Sequence, residues 1–218
     1  VESGQDLEMP YRLATEKADS LLDAGVIEEE DINRMVTGTL RTLYSMQAFG
    51  REKDTALLKK FDEHQEIALE TAREGIVLLR NENNALPVDA TNKILLTGDF
   101  ATIVPQGGGA ARVEGYNKVT FLDAMKDVYR ENLQYIETPS ESDITDADVV
   151  ILNIGTLDSE GSDRPFDLPD ETDSIVLRTA ELNPNTIVVV NSGSGVNMSN
   201  WNDKVAGILY AWYPGQNG

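Results

Sequence analysis

A continuous apolar run from Val149 to Ile154 is the feature that most constrains the fold of this chain. A strand with one solvated face alternates apolar and polar residues, whereas a run that is apolar at nearly every position predicts a strand buried on both faces. Further apolar runs are at 94–96, 133–136, 186–190 and 205–212, and stretches of helical periodicity are at 120–130 and 170–182. This alternation predicts an α/β fold, in which a mostly parallel sheet is sandwiched by helices.

Residues 1 to about 85 have mainly helical periodicity. Before Gly25, apolar residues recur at helical spacing at Leu13, Ala14, Ala18, Leu21 and Leu22. Acidic residues at 28–31 then predict the start of a second helix, since negative charge stabilises a helix N-terminus. The span 50–60 predicts a linker. A third helix, from about 62 to 74, is expected to bury Ile67, Ala68 and Ala72.

Net charge and absent side chains exclude whole classes of function. The chain has 18 Lys and Arg residues against 38 Asp and Glu residues, a formal net charge of −20, which repels nucleic-acid phosphates and anionic membrane surfaces. No apolar run is long enough to cross a bilayer. With no cysteine and one histidine, His64, neither thiolate chemistry nor a multi-histidine zinc site is available. We therefore expect no nucleic-acid partner, no membrane partner and no metal, and carboxylate chemistry remains.

Two loops in the α/β part have some features of nucleotide-binding or nucleophile motifs. Gly107, Gly108 and Gly109 lack the ending of a P-loop and the spacing of a dinucleotide fingerprint, so a nucleotide cofactor is not expected. The backbone of this loop is instead suited to approach a ligand or a neighbouring domain. The serine-rich stretch 191–195 has the wrong order for a nucleophile elbow and predicts a tight strand-to-helix connection.

The segment 158–169 concentrates ionisable groups directly after the Val149–Ile154 run. In an open α/β sheet, ligands bind beyond the carboxyl ends of the strands. Glu160, Asp163 and Arg164 are therefore candidates for a site that handles a polar, neutral substrate such as a sugar. The alternative is a solvated acidic loop, and the residues alone leave both open.

Glu160 is the candidate catalytic residue within this segment. A general acid for glycoside cleavage needs a carboxyl that is partly desolvated, so that its pKa rises and it stays protonated at the working pH. Asp163 and Arg164 would fix the loop or contact sugar hydroxyls. A retaining mechanism also needs a second carboxylate about 5 Å away, and nothing in the chain indicates that partner.

Six short segments, taken together, carry a family resemblance. They are Asp6–Pro10, His64–Glu82 with Leu86-Pro87, Gly107–Val113, Glu160–Arg164, Val188–Ser194 and Ala211–Gln216. In this order they resemble glycoside hydrolase family 3, the β-glucosidase and β-xylosidase group. The resemblance implies that residues 1–50 are the tail of a TIM-like catalytic barrel, 51–85 a linker with its connecting helix, and 86–218 an α/β sandwich domain truncated at its C-terminus.

The same resemblance implies a function. It is exo-acting, retaining hydrolysis of terminal β-linked sugars, with a β-glucosidase favoured and an oligosaccharide or an aryl or alkyl β-glycoside as substrate. Glu160 matches the family's general acid/base, although the loop is one glycine shorter before it and has Ser162 where an aromatic residue is common. Asp163, Arg164, Gly109 and Arg112 are the expected substrate-binding residues, and no cofactor is implied.

The family's nucleophile is an aspartate on the barrel, and no motif for it exists in this sequence. We therefore expect the chain alone to be inactive and to need the remaining barrel of the same enzyme. The resemblance and the absence of cysteine favour a secreted or periplasmic protein. Two alternatives stay open: a non-catalytic carbohydrate-binding or scaffolding domain with this fold, and, less favoured, a periplasmic-type sugar receptor.

Overall fold

The structure is a computed structural model that describes residues 4–9 and 15–218. By its internal contacts the chain divides into two units, Val1–Leu57 and Leu58–Gly218. Leu13 and Ala14, which the sequence analysis assigned to the first helix, lie outside the described residues, as does Pro10. The domain boundaries at 50 and 85 stay predictions.

Among its described residues, 4–9 and 15–57, the first unit contains two α-helices, α1 (Ala18–Asp23) and α2 (Glu29–Ser45). The helix α2 begins within the acidic cluster, as predicted. At its start, the backbone N–H of Glu28 donates to the Asp31 carboxylate at 3.1 Å. This bond satisfies one of the free N–H groups near the start of the helix.

The second unit contains one six-stranded sheet with the order β1-β6-β5-β4-β2-β3. The strands are β1 (Val77–Asn81), β2 (Ile94–Thr97), β3 (Leu133–Tyr135), β4 (Val149–Gly155), β5 (Thr186–Asn191) and β6 (Gly207–Tyr210). The helices are α3 (Phe61–Gly75), α4 (Phe121–Tyr129), α5 (Glu141–Thr145) and α6 (Asp170–Leu182). All neighbouring strands pair in parallel except β1, which is antiparallel to β6 at the edge. The predicted α/β fold with a mostly parallel sheet is confirmed.

The core lies on both faces of the central strands. Along β5, Ile187 and Val189 belong to the apolar cluster that contains α4 residues, whereas Val188 and Val190 belong to the cluster that contains Val176 of α6. Successive side chains of a strand point to opposite faces, so a strand covered by helices on both sides must be apolar at every position. This is the physical reason for the continuous runs in the sequence.

Two local predictions are wrong. The stretch 191–195 does not lead into a helix: it continues through turns that place Trp201 in the core, and the chain then enters β6. Ile67 of α3 is 61% exposed rather than buried. The prediction assumed that other side chains of this unit pack over Ile67, and the contacts within this unit do not include such packing.

The order of the strands sets the position of the candidate site. From β2 the chain moves outward to β3 and then returns to the other side of β2 as β4. The loops that follow β2 and β4 therefore leave the same edge of the sheet at a switch point, where α/β proteins bind ligands.

Across residues 4–9 and 15–218, no helix has the length and apolar character needed to traverse a bilayer.

Candidate functional site

The glycine-rich loop after β2 and the acidic loop after β4 lie side by side. The N–H of Gly108 donates to the carbonyl of Asp158 at 2.8 Å, and the N–H of Glu160 donates to the carbonyl of Gly108 at 3.3 Å. Gly108 and Ser159 form an isolated parallel bridge. The two loops selected separately from the sequence thus form one feature beyond the carboxyl ends of the strands.

Close contact between these loops requires glycine in the first of them. A Cβ atom at Gly108 would lie 2.7 Å from Oγ of Ser159, which is closer than side chains tolerate. Gly109 has a φ of +66° in the left-handed region, and a Cβ there would lie 3.2 Å from Cβ of Glu160. Glycine adopts this backbone conformation without the steric cost that other residues carry.

The Glu160 carboxylate is held by the glycine-rich loop. Its Oε2 accepts a hydrogen bond from the N–H of Ala110 at 3.1 Å. The side chain is otherwise exposed, so the described residues around it leave the carboxylate in contact with solvent.

The other predicted binding residues differ in what they contact. Asp163 is exposed and has no hydrogen bond or ion pair with any described residue. Arg112 binds the carboxylate of Glu114 at 2.7 Å, and Lys118 binds the same carboxylate at 2.6 Å. Lys118, Arg112 and Gln106 together lower the pKa of Glu114 to about 2. Arg112 is thus engaged by a neighbouring acid, and contact of Arg112, Asp163 or Gly109 with a substrate stays a prediction.

All three nitrogens of the Arg164 guanidinium donate hydrogen bonds to other groups of the protein. Nε donates to Oδ1 of Asp158, and Nη1 donates to the carbonyl of Pro165 at 2.8 Å. Nη2 donates at 2.9 Å to Oγ of Ser192, to Oγ of Ser194 and to the carbonyl of Gly195. Of the two roles predicted for Arg164, these contacts support fixing the loop, and a contact with a sugar stays a prediction.

Asp158 is the anionic partner in this network. Burial raises the pKa of its carboxyl, but the hydrogen bond from Arg164 and the charge of Arg164 outweigh that effect and hold the pKa below its ordinary value of 3.8. The Asp158 and Arg164 side chains are only 20% and 22% exposed. The ion pair is therefore shielded from most of the solvent screening that weakens surface pairs.

Comparison with known proteins assigns the chain to a family. A model of the glycosyl hydrolase family 3 C-terminal domain matches residues 76–218. The chain belongs to this family. The resemblance that was drawn from six short segments is confirmed.

Individual relatives agree with this assignment. The exo-α-(1→6)-L-arabinopyranosidase of Bifidobacterium longum is 28% identical, over 99% of this chain and 32% of its own length. The thermostable β-glucosidase B of Acetivibrio thermocellus is 30% identical, over 99% of this chain and 31% of its own length. The crystal structure of a family 3 β-glucosidase from Bifidobacterium adolescentis is 27% identical with a TM-score of 0.73, over 100% of this chain and 34% of that one. The chain spans about one third of the length of these proteins.

Some residues of this family 3 site were missed by sequence reasoning. Ala110 provides the N–H that binds Glu160, and a main-chain donor carries no signal in the side-chain sequence. The hydroxyl of Tyr213 donates to the carbonyl of Thr156 at 2.7 Å and accepts from the N–H of Asp158 at 2.7 Å. Because 55 residues separate Asp158 from Tyr213, only the fold could reveal this contact.

Several cavities lie near these loops. One, of about 250 Å³, is lined by Asp158, Ser162, Asp163, Arg164 and Phe166 among others. A second, of about 390 Å³, lies between the ends of β2 and β4 and α6. Residues 4–9 and 15–218 contain no cluster of three or more acidic or histidine side chains that could hold a metal ion.

Proposed function

We propose that this chain supplies the general acid/base to an exo-acting, retaining β-glycosidase of family 3, with a β-glucosidase as the favoured activity. The observation that carries the proposal is the position of Glu160. Its carboxylate lies on a loop at the switch point of the sheet and is held by the N–H of Ala110 from the glycine-rich loop. Ligands of open α/β sheets bind at such a point.

The proposed reaction uses Glu160 twice. An aspartate of the catalytic barrel attacks the anomeric carbon while the Glu160 carboxylic acid protonates the leaving oxygen. The Glu160 carboxylate then takes a proton from the water that attacks the same carbon, which releases the sugar and restores both groups. In this chain Glu160 is exposed, so the barrel that carries the nucleophile would also have to cover it and exclude water from around it.

The substrate class follows from the family and from the charge of the chain. The compared relatives are named as β-glucosidases and as an exo-α-(1→6)-L-arabinopyranosidase, which supports a glycoside as the substrate. Within that class we propose an oligosaccharide or an aryl or alkyl β-glycoside, in line with the β-glucosidases among the relatives. A net charge of −20 disfavours strongly anionic substrates. We further propose a secreted or periplasmic location, on the family resemblance and the absence of cysteine.

One observation favours a second candidate function. Because Glu160 is exposed in this chain, a non-catalytic carbohydrate-binding domain with the same fold would present the same surface. In that case Glu160 would accept hydrogen bonds from sugar hydroxyls and would not transfer a proton.

Substitution of Glu160 in the full-length enzyme separates the two functions. For Glu160→Gln we expect kcat/KM, which reports the first step, to fall about 10²- to 10⁴-fold on an alkyl glucoside, and much less on a dinitrophenyl glucoside, whose leaving group needs no proton. Glu160→Ala should regain turnover of the activated substrate with added azide, which needs no general base. Glu131→Gln, at an exposed glutamate, is the matched control. Equal kcat for Glu160→Gln and the control on the alkyl glucoside would support the binding function instead.

A further inference from the structure

Arg164 and Tyr213 converge on Asp158 from two different loops. We propose that both are positioning residues, which act through Asp158 to hold the loop that carries Glu160. This inference rests on the proposed function, because it assigns to these side chains the task of placing the acid/base carboxyl. Among the described residues, neither side chain has a hydrogen bond to Glu160, so neither is assigned a direct part in the chemistry.

Arg164 ties the loop after β4 to the loop after β5. Its Nε binds the Asp158 carboxylate, while its Nη2 binds Oγ of Ser192 and the carbonyl of Gly195, both at 2.9 Å. The planar guanidinium fixes the angle between these donors, so the two loops are held at a set distance and orientation. A lysine at this position would keep the positive charge, but it has no planar set of N–H groups that could bind both loops in fixed directions.

Tyr213 ties the same loop to the segment after β6. Its hydroxyl lies between the carbonyl of Thr156 and the N–H of Asp158, with both distances 2.7 Å. It thereby satisfies two main-chain groups where the backbone leaves β4, and it fixes the direction in which the loop departs. A Cβ at Gly193 would lie 3.0 Å from both Oδ2 of Asp158 and Cε2 of Tyr213, so this corner is closely packed.

The constraint reaches Glu160 through the main chain. Asp158 is two residues before Glu160, and its carbonyl accepts from Gly108, whose own carbonyl accepts from the Glu160 N–H at 3.3 Å. A tilt of the peptide at Asp158 therefore disturbs both bonds between the loops. The same movement changes where the Glu160 carboxylate meets the N–H of Ala110.

The first test measures activity of the full-length enzyme with Arg164→Lys and Tyr213→Phe. Since a misplacement of about 1 Å can cost about 10²-fold, we expect kcat on an alkyl glucoside to fall about tenfold to 10²-fold for Arg164→Lys and about threefold to tenfold for Tyr213→Phe, with KM little changed. The loss of kcat/KM should be small on a dinitrophenyl glucoside, whose departure needs no proton. Arg178→Lys, at a surface pair with Glu141, and Tyr129→Phe, whose hydroxyl meets the carbonyl of Val88, are the matched controls.

A double-variant cycle shows whether the effect passes through Glu160. Once Glu160→Ala has removed the carboxyl, adding Arg164→Lys or Tyr213→Phe should lower turnover of the alkyl glucoside little further. Fully additive losses, or equal losses on both leaving groups, would mean a general structural role and would overturn the proposal.

A second readout does not depend on activity. In the 218-residue chain, both variants should raise the amide hydrogen exchange rates of Gly108 and Glu160 at least about tenfold and leave the amides of β5 unchanged. Unchanged rates at Gly108 and Glu160 would overturn the positioning role. If Glu160→Gln leaves turnover intact while these rates rise, the proposed function fails and the structural constraint on the loop stands. Tyr213→Phe decides the question should Arg164→Lys fail to fold.

Discussion

Replacing Gly109 with alanine should lower stability and displace Glu160 at the same time. The left-handed backbone at Gly109, with φ +66°, costs a non-glycine residue about 1–2 kcal/mol, and we expect that loss in the free energy of unfolding by urea. The added Cβ would also lie 3.2 to 3.5 Å from Cβ, O and N of Glu160, so the loops must separate by a few tenths of an ångström. If 1 Å costs about 10²-fold in rate, this shift predicts a fall in kcat of about fourfold to tenfold in the full-length enzyme.

Gly215→Ala is the matched control for this prediction. Gly215 has a similar φ of +77°, and nothing lies within 4 Å of a Cβ built there. It should therefore lose a similar amount of stability, about 1–2 kcal/mol, without the same fall in kcat. Equal kcat values for the two variants on an alkyl glucoside would refute the claim that Gly109 makes room for Glu160. A loss of stability at Gly215 with none at Gly109 would refute the strain argument.

Three further predictions concern the core, the ion pair and the isolated chain. Trp201 is fully buried and its Nε1 donates to Asp173 at 2.8 Å, so Trp201→Ala should cost about 3–5 kcal/mol in urea unfolding followed by circular dichroism. Because the pKa of Asp158 lies below 3.8, its carboxylate stabilises the fold above that pH and ceases to do so as the pH falls through its folded-state pKa. The stability gap between the parent chain and Asp158→Asn should thus be steady at neutral pH and narrow in acid, as the pH falls through the lowered pKa of Asp158, and a gap that stays constant in acid would contradict the assignment. Finally, the purified chain should release no nitrophenol from an aryl β-glucoside, since the nucleophile is expected on the barrel, and measurable release that Glu160→Gln abolishes would contradict this.

Much of the fold could be predicted because burial on two faces leaves a direct mark on the sequence. The run at 149–154 and the apolar residues of β5 must be apolar at successive positions, since they meet helices on both sides of the sheet. The burial of Ile67 could not be predicted in the same way. Periodicity shows that a helix has an apolar face, but it does not show whether the same unit covers that face.

The candidate site was predicted in part. Glu160 and the glycine-rich loop were selected separately, one for a carboxylate after a strand and the other for its backbone freedom, and the structure brings them into contact. Their assigned roles toward a substrate stay predictions. Arg164 was expected to fix the loop or to contact a sugar, and the sequence could not choose between these roles because its partners at 192–195 lie about 30 residues away.

The sequence by itself determined the class of fold, the strands β2 to β6, the helices α3, α4 and α6, and the family, because each of these depends on patterns within short stretches of chain. Only the tertiary structure decided which stretches meet. The return of the chain from β3 to the far side of β2 places the two loops at one switch point, and parallel pairing of β4, β5 and β6 brings Asp158, Ser192 and Tyr213 to the same edge. Strand order arises from packing among distant elements, and no local periodicity encodes it.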